Sequence, residues 1–480
     1  MNHGANAAAR DVDHQRGCGA FFLAAVASRC YAPGMAAEQR VFYCQQPWQS
    51  LTVTCDGRVV CGCGDPMMLR IVGDANNERI TDIFNGPLMS DIRERLRHGQ
   101  PHAHCLAGVG CPLGWWSPAT AAPPVPVAHP APIQMYIEPT VLCNLSCDNP
   151  VCARDTGIRE TRLRPFLDRA LFSKVVNEAG PSLHRMDFYN YGEPFLHPET
   201  PAMIRELKDR FPHVYANTST NGMALTAPEL REAVVRSGID EILFSIDGSD
   251  QESYARYRRG GNFSRVLDNL KGIIQTRDRL DQIRPYVIWR YILFRWNDSD
   301  AHLDQARQLA HEIGVDRFCF LITCYPPGAE SDRFRPGTPE FEKIRNDVWS
   351  FGRHAMKRTF ISVKTLPFLR RGQPGRVKVV IMNTGGLPWK AATRWGSRFV
   401  SVGAQLFNNS NQLINRDYAR ALLPRDTAPG DRVEVTVPLP PLSERGRYRL
   451  RFDMVYEGVA WFSDLGNVGE PAVERGLFVF

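Results

Sequence analysis

No run of eighteen apolar residues occurs in the 480-residue chain, so no transmembrane helix is expected. A strong charge of one sign is also missing. The formal net charge is +7, and Lys and Arg are scattered without the stripe that marks a nucleic-acid-binding face, so nucleic acid is not indicated as a partner. The apolar stretch Ala20–Ser28 after Arg16 is faintly like the apolar core of a secretory leader, but Asp11 and Asp13 spoil the basic flank such a leader carries. Residues 1–40 read as a poorly ordered extension, with Met35 as an alternative start. Cysteine, by contrast, is abundant. Most of the thirteen fall in two groups, Cys44 to Cys111 and Cys143 to Cys152, which predicts metal clusters in a reducing compartment, not a secreted disulfide framework.

Cys143, Cys147 and Cys152 follow one short apolar strand, Ile133 to Thr140. Soft thiolates this close together select zinc, copper or iron–sulfur. A closed structural zinc site or a simple electron-transfer cluster takes four ligands. Three from one loop require a remote fourth ligand or leave an open coordination position. A zinc knuckle and three unrelated buried thiols are the plainer alternatives.

The downstream residues decide between these. Asn190-Tyr191-Gly192-Glu193-Pro194 ends a second apolar strand, Thr218-Ser219-Thr220-Asn221-Gly222 a third, and Ile242 to Gly248 contains a fourth, followed by Tyr254 to Phe263. In that order, over residues 133–330, the set resembles the radical S-adenosylmethionine (SAM) superfamily. The resemblance implies a 4Fe–4S cluster held by Cys143, Cys147 and Cys152, with SAM on the fourth iron. The family's usual second gap is two residues, whereas here Asp148-Asn149-Pro150-Val151 fills it. The same resemblance implies that Gly192, Glu193 and Pro194 meet the SAM amino group, and that Ser219 and Asn221 touch its ribose or methionyl part. Ser245 and Arg258 are implied for the SAM carboxylate, with Arg256 as competitor, since a guanidinium fork suits a carboxylate.

Residues 41–113 hold Cys44, Cys55, Cys61, Cys63, Cys105 and Cys111. The alternation at Leu51 and Val53, the Asp56-Gly57 turn and Val59-Val60 predict a β-hairpin, with Cys61 and Cys63 on its second arm facing one side. A helix is expected over Asp91 to His98. This pattern resembles the SPASM module, which implies an auxiliary 4Fe–4S cluster on Cys44, Cys61 or Cys63, Cys105 and Cys111. A zinc ribbon on the same sulfurs is the alternative. Residues 114–132 are a Pro- and Ala-rich linker.

Between residues 133 and 330, apolar strands alternate with amphipathic stretches at Phe166–Ala179, Thr200–Arg210, Ala227–Ser237, Phe263–Thr276 and Ala301–Ile313. Further strands are Tyr286–Leu293 and Arg317–Ile322. Alternation of this kind predicts an α/β fold with a parallel sheet, and the resemblance makes it a partial (β/α)6 barrel. Cys319 reads as a core thiol, and Cys324 lies at a strand mouth. Residues 331–365 read as a helical connector. Residues 366–480 read as an all-β sandwich that resembles immunoglobulin-like modules, in which Trp389 and Trp461 are core aromatics or sugar platforms.

The resemblance as a whole implies a cytoplasmic radical SAM enzyme that cleaves SAM reductively and removes a hydrogen atom from a peptide, protein or carbohydrate. An electron donor of flavodoxin or ferredoxin type and an auxiliary cluster would assist. The rival is a degenerate fold serving as a non-catalytic metal-binding scaffold or sensor.

Overall fold

The structure is a computed structural model that describes residues 40–44, 46–62, 64–107, 115–118, 130–149, 151–282, 284–323, 326–335, 337–344, 347–348, 358–364, 368–384, 389, 391, 400–428, 430–456, 460–462 and 472–480. The expected extension up to residue 39, most of the linker, and Cys63, Cys111 and Cys324 lie outside the described residues. The chain divides into two compact units.

The first unit takes the described residues up to Ser182, with 189–196 and 326–329. Its strands of three or more residues are β1 (Arg40–Tyr43), β2 (Ser50–Val53), β3 (Arg58–Val60), β4 (Ile71–Asp74), β5 (Trp115–Pro118) and β6 (Gln134–Ile137). The expected hairpin is present: β2 and β3 are antiparallel with Val53 opposite Val59, and Gly57 makes the turn at φ 93°. β4 continues the sheet antiparallel to β3, and β1 pairs with β5. On its other side β2 runs parallel to β6, Val53 beside Ile137. The hairpin of the front module and the strand leading to Cys143 therefore share one sheet. Helices α1 (Ile80–Asn85) and α2 (Pro87–Arg97) bury Ile80, Ile83, Phe84, Met89, Ile92 and Leu96. The Glu178 carboxylate of α3 (Arg169–Ala179) accepts the Ile80 N–H at 2.8 Å, satisfying one of the donors that a helix start leaves open.

The second arm is shorter than expected: β3 ends at Val60 and Gly62 turns the chain at φ 73°, so Cys61 lies beyond the arm.

The second unit begins with five parallel strands in sequence order: β7 (Arg185–Asp187), β8 (Tyr215–Thr220), β9 (Glu241–Ser245), β10 (Tyr286–Leu293) and β11 (Arg317–Ile322). Helices α4 (Thr200–Arg210), α5 (Pro228–Arg236), α6 (Gln251–Tyr257), α7 (Phe263–Arg279) and α8 (Asp300–Ile313) alternate with them. Two-residue periodicity stacks one strand face in layers. Tyr215, Leu243, Tyr286, Ile288 and Cys319 form a buried apolar cluster on it. Cys319 is a core thiol, pushed up to about 11 by burial.

A helix α9 (Pro339–Ile344) follows, but residues 358–364, expected in the helical connector, form strand β12 (Arg358–Lys364). β14 (Gly375–Asn383) and β17 (Arg432–Leu439) complete a three-stranded sheet with it. β13 (Phe368–Leu369), β19 (Val473–Val479), β18 (Gly446–Tyr456), β15 (Val400–Asn408) and β16 (Leu413–Leu422) form a larger sheet in that spatial order. Between the two lies a core of Val377, Val379, Ile381, Val402, Val435, Phe452 and their neighbours. Trp389 and Trp461 are buried in this region, at 0% and 4% exposure, so neither is a sugar platform.

Candidate functional site

The loop after β6 is held from beneath by an ion pair. Glu138, fully buried, takes two hydrogen bonds from the Arg162 guanidinium (2.8 and 3.0 Å), one from Asn190 Nδ2 (2.9 Å) and one from the Cys55 N–H (3.3 Å). The loop then crosses Thr140, whose hydroxyl donates to the Pro165 carbonyl (2.7 Å) and accepts the Leu142 N–H (3.0 Å).

Cys143 and Cys147 are half-buried and Cys152 is buried. The longer second gap folds into a turn at Asn149. Its N–H donates to the Cys147 carbonyl (2.8 Å), its side chain accepts the Val151 N–H (2.9 Å), and its carbonyl accepts the Cys152 N–H (3.0 Å). The turn brings Cys152 within hydrogen-bonding reach of the Cys147 sulfur. That bond, outweighing burial and aided by the N–H groups of Arg154 and Asp155, brings the Cys152 thiol down to about 6. A thiol held so low is a thiolate near neutrality, the form in which cysteine ligates a metal.

No three His, Cys, Asp or Glu side chains converge on a metal-sized centre among the described residues. The cluster loop still fits a thiolate-bound group in kind. Two of its sulfurs stand together, one of them thiolate-biased, on a backbone fixed from below. The auxiliary set is less complete among the described residues: Cys44 is buried, Cys61 lies past β3 and Cys105 sits in the short helix Ala103–Leu106.

Gly192 and Glu193 pack directly on the cluster loop, and Pro194 is buried at the start of the short turn Pro194–Leu196. The Glu193 N–H donates to the Leu142 carbonyl (2.8 Å). A Cβ on Gly192 would lie 2.0 Å from the Thr140 carbonyl oxygen, so only glycine allows this approach. Glu193 is 2% exposed, and its carboxylate accepts the Phe195 N–H at 3.4 Å.

The second unit carries a separate polar set at its strand ends. Ser219 on β8 and Ser245 on β9 lie 3.4 Å apart, and the Arg290 guanidinium on β10 donates to the Ser245 hydroxyl at 2.6 Å. Ser245 is register partner to Arg290, which explains the contact. Asn221 is buried, and its side chain accepts the Met223 N–H (2.9 Å) in a local turn. Arg258 donates through Nε to the buried Asp247 carboxylate at 2.6 Å, which also accepts the Ile292 N–H at 2.8 Å. Arg256 lies over the Trp296 ring at 4.5 Å. Arg290 and Asp247 were not anticipated. The signal for the first was available: an arginine interrupts the otherwise apolar Tyr286–Leu293.

The chain matches the Radical SAM superfamily over residues 137–277 and the SPASM iron–sulfur cluster-binding domain over residues 44–112. It therefore carries a radical SAM domain with an iron–sulfur cluster-binding domain ahead of it, and these imply a SAM-binding 4Fe–4S cluster, SAM and auxiliary iron–sulfur as cofactors. It is similar to the tungsten-containing aldehyde ferredoxin oxidoreductase cofactor-modifying protein of Pyrococcus furiosus, 35% identical over 240 residues, 48% of this chain and 64% of that one. It is also similar to the AdoMet-dependent heme synthase of Methanosarcina barkeri, 26% identical over 216 residues, 45% of this chain and 57% of that one. The chain thus spans less than two thirds of the length of these relatives. Among solved structures, Streptococcus suis SuiB bound to S-adenosylmethionine aligns at 15% identity and a TM-score of 0.30, covering 41% of this chain and 42% of that one. No helix among the described residues is long and apolar enough to cross a membrane.

Proposed function

We propose that this protein is a cytoplasmic radical SAM enzyme that cleaves SAM reductively and abstracts a hydrogen atom from a peptide, protein or carbohydrate. The observation that carries the reading is the pairing of Cys147 with the thiolate-biased Cys152 on a loop against which Gly192 and Glu193 pack. When bound there, a reduced 4Fe–4S cluster supplies the single electron that breaks the SAM sulfonium.

The chain's own residues do the rest. Cys143, Cys147 and Cys152 hold the cluster. Gly192, Glu193 and Pro194 receive the SAM amino group, Glu193 as a buried acceptor. Ser219 and Asn221 take the ribose or methionyl part. Ser245 takes the carboxylate, and Arg290, bonded to Ser245, is a better second donor than Arg258, whose Nε is spent on Asp247. The front module holds an auxiliary 4Fe–4S cluster through Cys44, Cys61 or Cys63, Cys105 and Cys111, which assists an oxidation. A flavodoxin- or ferredoxin-type protein donates the electron. The Pyrococcus relative, named as cofactor-modifying, adds a small cofactor precursor to the substrate classes worth assay.

Anaerobically reconstituted, dithionite-reduced protein is expected to release 5′-deoxyadenosine from SAM, and Cys147→Ala to release almost none. A fully iron-loaded sample that releases none would establish the non-catalytic scaffold instead.

A further inference from the structure

The C-terminal sandwich carries a groove of about 650 Å³ on the larger sheet, beside the turn that joins β15 to β16. That volume is in the range of small-ligand clefts. The register fixes what faces it. Phe368 of β13 pairs with Phe478 of β19, their rings edge-to-face at 6.2 Å, and Phe478 pairs in turn with Arg447 of β18. One step along the same face, Gly476 pairs with Arg449. The two phenylalanines are 60% and 40% exposed, although the core of the sandwich lies on the other face of the sheet.

Gly476 is the informative position. A Cβ there would meet nothing within 4 Å, and its φ lies outside the left-handed range. Neither packing nor backbone geometry requires glycine, and its effect is to leave the groove floor bare between an aromatic ring and a guanidinium. Among the described residues no acidic side chain lines the groove. Arg449 shares the Glu474 carboxylate (3.0 Å), whereas Arg447 makes no ion pair among the described residues. Asn408 is consumed in the turn by Gln412, leaving the exposed Asn409 and Asn411 on the rim.

We propose that this groove binds an acidic oligosaccharide. Pyranose rings present C–H faces that pack on exposed aromatics, and their hydroxyl pairs match the donor and acceptor of a primary amide. A uronate carboxylate matches the guanidinium of Arg447. The ring lies over Gly476 beside Phe478, the carboxylate meets Arg447, and Asn409 and Asn411 meet hydroxyls. An extended peptide is a poorer match, because such ligands pair main chain along a sheet edge and this groove lies on a sheet face. The proposal is independent of the radical chemistry.

Calorimetric titration of the full-length protein with hexagalacturonate, its neutral hexasaccharide counterpart and a hexaglutamate peptide tests it. Hexagalacturonate is expected to bind, Arg447→Ala to weaken it about tenfold, a charge-assisted bond's share, and Gly476→Trp to abolish it. Both variants should keep the native unfolding temperature. Arg447→Ala, on an exposed side chain, reads the site even where Gly476→Trp does not fold. The proposal is overturned by no binding at millimolar hexagalacturonate, by equal affinity for the neutral sugar, by tighter binding of the peptide, or by an affinity unchanged in Arg447→Ala.

Discussion

Gly192 lies so close to Thr140 that a methyl group on its Cα would stand 2.0 Å from the Thr140 carbonyl oxygen. The contact ties the segment proposed to receive the SAM amino group to the segment that leads into Cys143. Gly192→Ala must therefore push these segments apart. We expect it to load iron to near wild-type level yet lose at least about tenfold in 5′-deoxyadenosine release, since small misplacement of a reacting group is costly. Iron content and product release, measured on the same sample, check this.

Glu138 and Arg162 are both fully buried, and each side chain is the other's charge partner. Glu138→Gln leaves a guanidinium in the interior without its carboxylate, a change that costs about 3–5 kcal/mol. The thermal unfolding midpoint should fall, and the double variant Glu138→Leu/Arg162→Met should recover part of the loss. A single variant as stable as wild type would contradict the account of the loop's support.

Arg290→Met tests the donor that the sequence reading overlooked. Loss of one charge-assisted hydrogen bond predicts about a tenfold rise in the SAM concentration needed for half-maximal cleavage. Iron loading should stay unchanged. Arg258→Met, which breaks the pair with Asp247, should instead lower stability first, readable as an earlier unfolding transition.

Asp56 supplies a pH signature. Burial pulls its carboxyl upward, but hydrogen bonds from Arg58, Thr54 and the Leu163 N–H outweigh it and hold the group at about 2, below its ordinary 3.8. A folded value below the unfolded one means that the stabilisation is complete above pH about 4 and drains away as pH falls toward 2. Amide exchange at Val59 and Val60, across the hairpin, should accelerate over that window. In Asp56→Asn the acceleration should be largely absent, on a raised baseline.

Elements with an uninterrupted period were legible in the sequence. Thr200–Arg210 falls where the 3.6-residue pattern places it, because one face is continuously buried, and Tyr286–Leu293 falls where a near-continuous apolar run marks a strand buried on both faces. The Cys143-to-Cys152 loop was legible as a thiolate cluster from its spacing, whereas the strand-end serines were legible only as what the family resemblance implies. Leu413–Leu422 was missed: its first half is exposed on both faces, so no alternation marks it. Helix α6 was hidden inside what read as a binding motif, although Asp250 and Ser253 form a capping box at its start. The bond between Ser245 and Arg290 depends on strand register across a crossover of some forty residues, which periodicity within one segment does not reveal. The turn at Asn149 that accommodates the longer cysteine gap is a backbone arrangement, and spacing counts residues without giving their path.

The parallel seam between β2 and β6 carries a practical warning for anyone wishing to dissect this polypeptide. Cutting at the Pro-rich stretch would strip the strand bearing the cysteine loop of its lateral neighbour and expose a ladder of unmet amides and carbonyls. The front piece and the loop should therefore be expressed, and should melt, as a single block of masonry.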